Sequence, residues 1–156
     1  MSEHPRELIG ELLDGSISSA DLQAIQRAPK DAARRRTVIE LERDRVAFDD
    51  PILVCLQEAL YVVERPDGER VTKCRCGHDF GDWRRNWKEA AAIIEREGEA
   101  PYFPGPRAAD PEWMVLREFL CPSCATRLDV EVVPPGYPFI HNFEPLLPGT
   151  AAGEGG

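Results

Sequence analysis

Four of the five cysteines fall in two close pairs, Cys74-Arg75-Cys76-Gly77 and Cys121-Pro122-Ser123-Cys124, about 45 residues apart. Four thiolates delivered on two short loops match the needs of a tetrahedral zinc ion. In a Cys-x-x-Cys turn the first sulfur can accept N–H bonds from the residues that follow it. Pro122 fixes one dihedral of that turn and lowers the entropy cost of forming it. Gly77 supplies the left-handed conformation that a turn beneath a metal often requires. The first pair must lie on a bend, because residues i and i+2 of an extended strand hold their sulfurs too far apart to share one ion.

The expected metal ligands are therefore Cys74, Cys76, Cys121 and Cys124, with His78 as a substitute ligand in a Cys₃His set. Four protein ligands leave no open position for water or substrate, so the site reads as structural rather than catalytic. Iron is the alternative metal, but rubredoxin-type sites use two Cys-x-x-Cys knuckles and the first pair here is tighter. Asp79 and Asp82 lie near His78; Asp82 reads as a helix N-cap and Asp79 as an exposed side chain. His141, within an apolar stretch, reads as a hydrogen-bonded, partly buried histidine. Cys55, inside Ile52-Leu53-Val54-Cys55-Leu56, reads as a small buried hydrophobe. The sequence contains no Ser/His/Asp arrangement, phosphate-cradling glycine loop or nucleophile elbow, so no catalytic or cofactor-binding residues are assigned.

The elements that must carry these residues follow from pattern. Pro5 to Leu13 reads as a short helix ended by Asp14-Gly15. A second helix starts at Ser18, with Asp21 in capping-box position, and stops before Pro29. Asp31 can cap a third, from Ala32 to about Val46, whose Val38, Ile39 and Leu41 give a narrow apolar stripe. Such an arm packs on another surface, one that a partner chain can supply. From residue 52 the signal becomes β. Two strands, 59–64 and 69–73, flank the turn Arg65-Pro66-Asp67-Gly68, and the second runs into Cys74. A helix is expected after Asp82, with Trp83, Trp87, Ala90, Ala91 and Ile94 on one face. Ala100 to Pro111 is a loop, and Trp113 to Leu120 is a strand leading into the second cysteine pair. Leu128, Val130 and Val132 alternate with Arg127, Asp129 and Glu131 in a half-buried strand closed by Pro134-Pro135-Gly136. Phe139, Ile140 and Phe143 then dock the last ordered segment. The fold class is α+β: a helical arm (1–50), a zinc-ribbon-like antiparallel β domain with an inserted helix (51–146) and a disordered tail (147–156).

Length and composition bound the function. A chain of 156 residues with 42% hydrophobic content and three tryptophans can bury a core. With 19 basic against 28 acidic residues, a net charge of −9, it lacks the clustered cations of a nucleic-acid surface. Arg34-Arg35-Arg36 is a short run with acidic neighbours. No apolar run reaches the ~18 residues of a membrane span, and the first residues lack the order of a signal peptide. These readings give a cytoplasmic protein with no nucleic-acid or membrane partner. Paired cysteines in that compartment favour metal over disulfides.

The residues around the cysteines add a family resemblance. The run CRCGHDFGDWRRNWK (74–88) resembles the first signature of the acetone carboxylase gamma subunit, and PEWMVLREFLCPSCA (111–125) resembles the segment bearing that family's second cysteine pair. VEVVPPGYP (130–138) and FIHNF (139–143) continue the likeness, as do Leu12-Leu13-Asp14-Gly15 and the step Pro29-Lys30-Asp31. The resemblance spans roughly residues 8–148. It implies a small zinc-bearing, non-catalytic subunit of an ATP-dependent ligase that converts acetone and bicarbonate to acetoacetate. It further implies alpha and beta partners resembling hydantoinase and oxoprolinase proteins, two copies of each chain, with manganese and ATP held by those larger subunits. Related complexes act on acetophenone. Ala125 departs from the pattern, since glycine is common after such a knuckle. The exposed-looking Trp83, Trp87, Trp113 and Tyr137 suit a subunit buried against partners. A rubredoxin-like electron-transfer protein and a stand-alone zinc-ribbon adaptor are the alternative readings.

Overall fold

A computed structural model describes residues 4–29, 31–96, 110–143 and 145–147. Three short helices precede two antiparallel sheets, so the fold is α+β with the helices first. Helix α1 (Arg6–Asp14) ends where Gly15 adopts φ 69° and its N–H turns back to the Leu12 and Glu11 carbonyls. Helix α2 (Ser19–Arg27) begins as a capping box should, with Ser18 Oγ accepting from the Asp21 N–H at 3.1 Å. Helix α3 (Arg34–Arg43) is shorter than the expected 32–46. Asp31 accepts from the Ala33 N–H at 2.8 Å, which holds residues 32–33 in a turn ahead of the helix. Beyond Arg43 the chain bends so that the Ala47 N–H reaches the Arg75 carbonyl at 2.9 Å.

The first sheet is a meander of β1 (Ile52–Gln57), β2 (Leu60–Glu64), β3 (Arg70–Cys74) and β4 (Asp79–Asp82) in that spatial order. The Arg65–Gly68 turn closes as its sequence predicts, with Gly68 at φ 85° and its N–H on the Arg65 carbonyl at 2.9 Å. Every residue from Leu60 to Val63 is buried. Alternation sends Tyr61 and Val63 to one face, where they join Ile52 and Val71 and receive Ile39, Val46 and Phe48. Ile39 of the narrow α3 stripe thus packs on the chain's own sheet. A polar tie fixes it there: Glu42, 3% exposed, accepts from the Tyr61 hydroxyl and from Arg75 Nη2 at 3.2 Å.

The second sheet has the order β5 (Ala92–Arg96), β6 (Val115–Leu120), β7 (Arg127–Val133). It overturns the expected inserted helix. Asp82 ends a strand, and its carboxylate is taken by Arg84 rather than by a helix N-terminus. Asn86 instead caps a single 3-10 turn, Trp87–Ala90, after which Ala92 to Arg96 pair in unbroken register with β6. The alanines and glutamates of 89–95 favour helix locally, but pairing with β6 satisfies their backbone and wins. The tryptophans accordingly do not share a face. Trp87 is 2% exposed, against the expectation of surface, and Trp83 is half-buried.

Between the sheets lies a core of Leu60, Cys74, Phe80, Trp87, Phe119, Cys121 and Leu128, with Phe139 packed against it. Its rings follow one another edge to face, Phe80–Trp87–Phe119–Phe139, at centroid distances of 5.8, 6.0 and 5.5 Å. Phe139 therefore docks as expected, whereas Ile140 remains exposed. Beside the core, Lys88 is fully buried and pairs with Glu131 and, at 2.8 Å, with Asp129. Arg117, also buried, bonds Glu95 at 2.9 Å and the Tyr137 carbonyl at 2.9 Å. Leu147, first residue of the expected tail, is buried; residues 148–156 and most of the expected loop 100–111 lie outside the described residues.

Candidate metal centre

Each cysteine pair sits at the tip of a hairpin. Cys74 is the last residue of β3, and the chain reverses through Arg75, Cys76 and Gly77 into β4. The reversal is tight: the Gly77 N–H reaches the Cys74 carbonyl at 2.8 Å and the Cys74 N–H reaches the His78 carbonyl at 2.9 Å. Gly77 takes φ 92°, the left-handed conformation its position called for. Cys121 follows β6 directly, and the Ala125 N–H closes the second knuckle on the Cys121 carbonyl at 2.9 Å. Ala125 has φ 57°, which accounts for glycine being the easier residue there.

The two tips meet. Cys74 Sγ lies 3.8 Å from Cys124 Sγ, Cys76 Sγ lies 3.7 Å from Cys121 Sγ, and all four sulfurs fall within 4.8 Å of one another. A disulfide brings sulfurs to ~2.05 Å, and all five cysteines are free thiols. A tetrahedron with zinc–sulfur bonds of ~2.3 Å has edges of about 3.8 Å. Donor type, number and spacing therefore fit one zinc ion held by four thiolates, and each pair of close sulfurs spans the two hairpins.

Environment differs among the four. Burial pushes the Cys74 and Cys76 thiols up, as low-dielectric surroundings disfavour the thiolate. Cys124 is exposed and held down to about 6, chiefly by the Thr126 hydroxyl, whose oxygen lies 3.1 Å from the sulfur. His78 Nδ1 is 2.7 Å from Ser123 Oγ, and its ring stands edge-on to Phe80 at 4.8 Å. That contact joins the two knuckles a second time, outside the sulfur cluster. Asp79 is half-buried rather than exposed; it pairs with Arg65 and accepts from the Gly81 N–H at 2.7 Å. Cys55 is removed from the cluster, lining a cleft with Ile25, Val38, Ile39 and Val54 where burial raises its thiol to about 11.

Some supporting residues escaped the sequence reading. Arg75, set between two cysteines, turns its guanidinium away to Glu42, Tyr61 and the Glu58 carbonyl at 2.6 Å. It thereby fastens the first knuckle to the helical arm. Ser123 and Thr126 flank Cys124 in sequence, which was the available signal for them. No comparable signal marks Glu42, which meets Arg75 across 33 residues of chain.

Comparison with known proteins agrees with this arrangement. The sequence model of the acetone carboxylase gamma subunit family matches residues 46–152, which carry both sheets and both knuckles. The acetone carboxylase gamma subunit of Xanthobacter autotrophicus is 37% identical over 150 residues, covering 94% of this chain and 89% of the relative. The acetophenone carboxylase beta subunit of Aromatoleum aromaticum is 29% identical over 79 residues, covering 44% of this chain and 57% of the relative. The chain belongs to the acetone carboxylase gamma subunit family.

Proposed function

We propose that this chain is the small zinc-bearing subunit of an ATP-dependent ketone carboxylase that converts acetone and bicarbonate to acetoacetate. The observation that carries the reading is a four-sulfur cluster at the meeting of two hairpins, inside a chain that matches the gamma subunit over nearly its whole length. Cys74, Cys76, Cys121 and Cys124 hold zinc, and His78 braces the knuckles through Ser123. The divalent ion offsets half the charge of the four thiolates and cross-links the halves of the fold. With its positions filled by protein ligands it offers none to substrate. The residues form two regions, an arm (1–50) and a zinc-ribbon-like unit (51–146), followed by a tail.

Catalysis then belongs to larger alpha and beta subunits, hydantoinase- and oxoprolinase-like, which hold manganese and ATP and assemble with this chain as two copies of each in the cytoplasm. Among the described residues no helix is long and apolar enough to cross a membrane. The test is co-expression of the tagged chain with those subunits, followed by ATP-dependent fixation of labelled bicarbonate with acetone or acetophenone as acceptor. Co-purification with acetone-dependent fixation supports the reading. A chain that purifies alone, coloured and iron-loaded with a reversible one-electron wave, contradicts it and identifies a rubredoxin-like carrier.

A further inference from the structure

We propose that the cleft between the helical arm and β1 binds a small amphipathic monocarboxylate, with its apolar body along the cleft and its carboxylate on Arg34. The site lies away from the cysteine cluster and stands or falls independently of the subunit reading above.

The cleft has a volume of about 530 Å³, within the range of about 300–1,000 Å³ that small-molecule sites occupy. Helix α2 contributes Ile25, α3 contributes Val38 and Ile39, and β1 contributes Val54 and Cys55. Ile25 is buried and the other four are half-buried. These side chains thus give the cleft an apolar lining drawn from three elements, which an apolar body can remove from water.

Charge at the rim selects the head group. Arg34, Arg35 and Arg36 are consecutive and exposed, and among the described residues only Arg36 meets a carboxylate, Glu40 at 3.9 Å. The other two line the cleft. Arg35 donates to the Leu53 carbonyl at 2.9 Å, which holds its guanidinium in place without cancelling its charge. The acid that lines the cleft, Asp31, is committed to backbone. It accepts from the His4 N–H at 2.9 Å and the Ala33 N–H at 2.8 Å, and these bonds hold its carboxyl below the usual range. Two guanidiniums against one carboxylate leave one positive charge at the rim. The first turn of α3 has no acidic residue, so the helix dipole adds to that charge. A singly charged head matches the surplus. Arg34, whose donors meet no acceptor among the described residues, offers the planar fork that takes a carboxylate through two bonds.

The test uses the purified full chain with octanoate as probe. Octanoate should raise the melting temperature and slow alkylation of Cys55 at alkaline pH several-fold, read by peptide mass. Octan-1-ol and octylammonium, which lack the negative charge, should bind at least about fivefold more weakly. Arg34→Gln should weaken octanoate about fivefold and leave octan-1-ol unchanged. Arg43→Gln, at the other end of α3, loses the same charge and should bind octanoate as the parent does. Equal binding of octan-1-ol and octanoate, or unchanged octanoate affinity in Arg34→Gln, overturns the proposal. Tighter binding of octyl phosphate overturns it too, by assigning a more highly charged head. The absence of a melting shift, or a shift without protection of Cys55, removes the probe from this cleft and has the same consequence. If Cys55 is already shielded in chain recovered with larger subunits, and octanoate adds nothing there, a partner fills the cleft and the small-molecule site falls.

Discussion

The two sheets use the same antiparallel logic and each delivers a pair of sulfurs, yet they are finished differently. The four-stranded sheet is covered within the chain: Ile39 of α3, with Val46 and Phe48 after it, packs on Tyr61, Val63 and Val71, and Glu42 fastens the cover through Tyr61 and Arg75. Among the described residues the three-stranded sheet is packed on one face, and that packing leans on buried charge, with Lys88 and Arg117 set against Asp129, Glu131 and Glu95. The chain thus finishes its two sheets by different means, one with apolar cover from the helical arm and one with paired charges beneath it. The cluster of Cys74, Cys76, Cys121 and Cys124 is where the two halves meet.

The largest effect should come from opening that clasp. If the four thiolates hold zinc as proposed, Cys121→Ser or Cys124→Ser removes a ligand from an ion whose binding contributes on the order of 10 kcal/mol to folding in small zinc domains. Because that matches the whole stability of a typical domain, about 5–15 kcal/mol, both variants should lose stoichiometric zinc and cooperative melting. Cys55→Ser should keep both. Zinc analysis and calorimetry check this, and normal melting of the two ligand variants would separate the sheets' stability from the metal.

Next in size is the buried charge that supports the three-stranded sheet. Lys88→Met leaves Asp129 without its cation and Glu131 with Arg117 alone, at 3.8 Å, and should cost about 3–5 kcal/mol in urea unfolding. Glu42→Gln, the matching change on the four-stranded side, weakens bonds from Tyr61 and Arg75 and should cost about 1–3 kcal/mol while zinc is retained. If Glu42→Gln proved the more damaging, the ordering of the two halves would be reversed.

Much of this division was legible in the sequence. The cysteine spacing, the Arg65–Gly68 turn, the Ser18 cap and the alternation of Leu128 to Val132 pointed to elements that form where expected. Alternation did not reveal that Val130 and Val132 are exposed among the described residues, because period reports that a strand has two faces and not what covers either. The missed strand, Ala92–Arg96, has a physical cause as well. Its Ala-Ile-Ile-Glu-Arg sequence suits helix or strand, and only the distant β6 decides. Nothing local marks Glu42 and Lys88 as buried for the same reason: their partners lie 33 and 43 residues away along the chain.

Smaller effects sharpen the picture locally. With burial raising its thiol to about 11, Cys55 is about a thousandth thiolate at pH 8, roughly a hundredfold less than a thiol at the ordinary 9.0. Its alkylation in the zinc-loaded protein should therefore be slow at pH 8 and accelerate up to about pH 11; fast labelling at pH 8 would refute the burial of this cleft. Ala125→Gly relieves a left-handed residue in the second knuckle and should add about 0.5–1 kcal/mol, read as a small rise in melting temperature.

The central claim, that one zinc held by four thiolates joins the two halves, is tested most directly by X-ray absorption at the zinc edge of the purified full chain. The account predicts one zinc per chain with four sulfur neighbours at ~2.3 Å and no nitrogen. Three sulfurs with one nitrogen would bring His78 into the coordination sphere, and an absent or oxygen-bound zinc would contradict the clasp altogether.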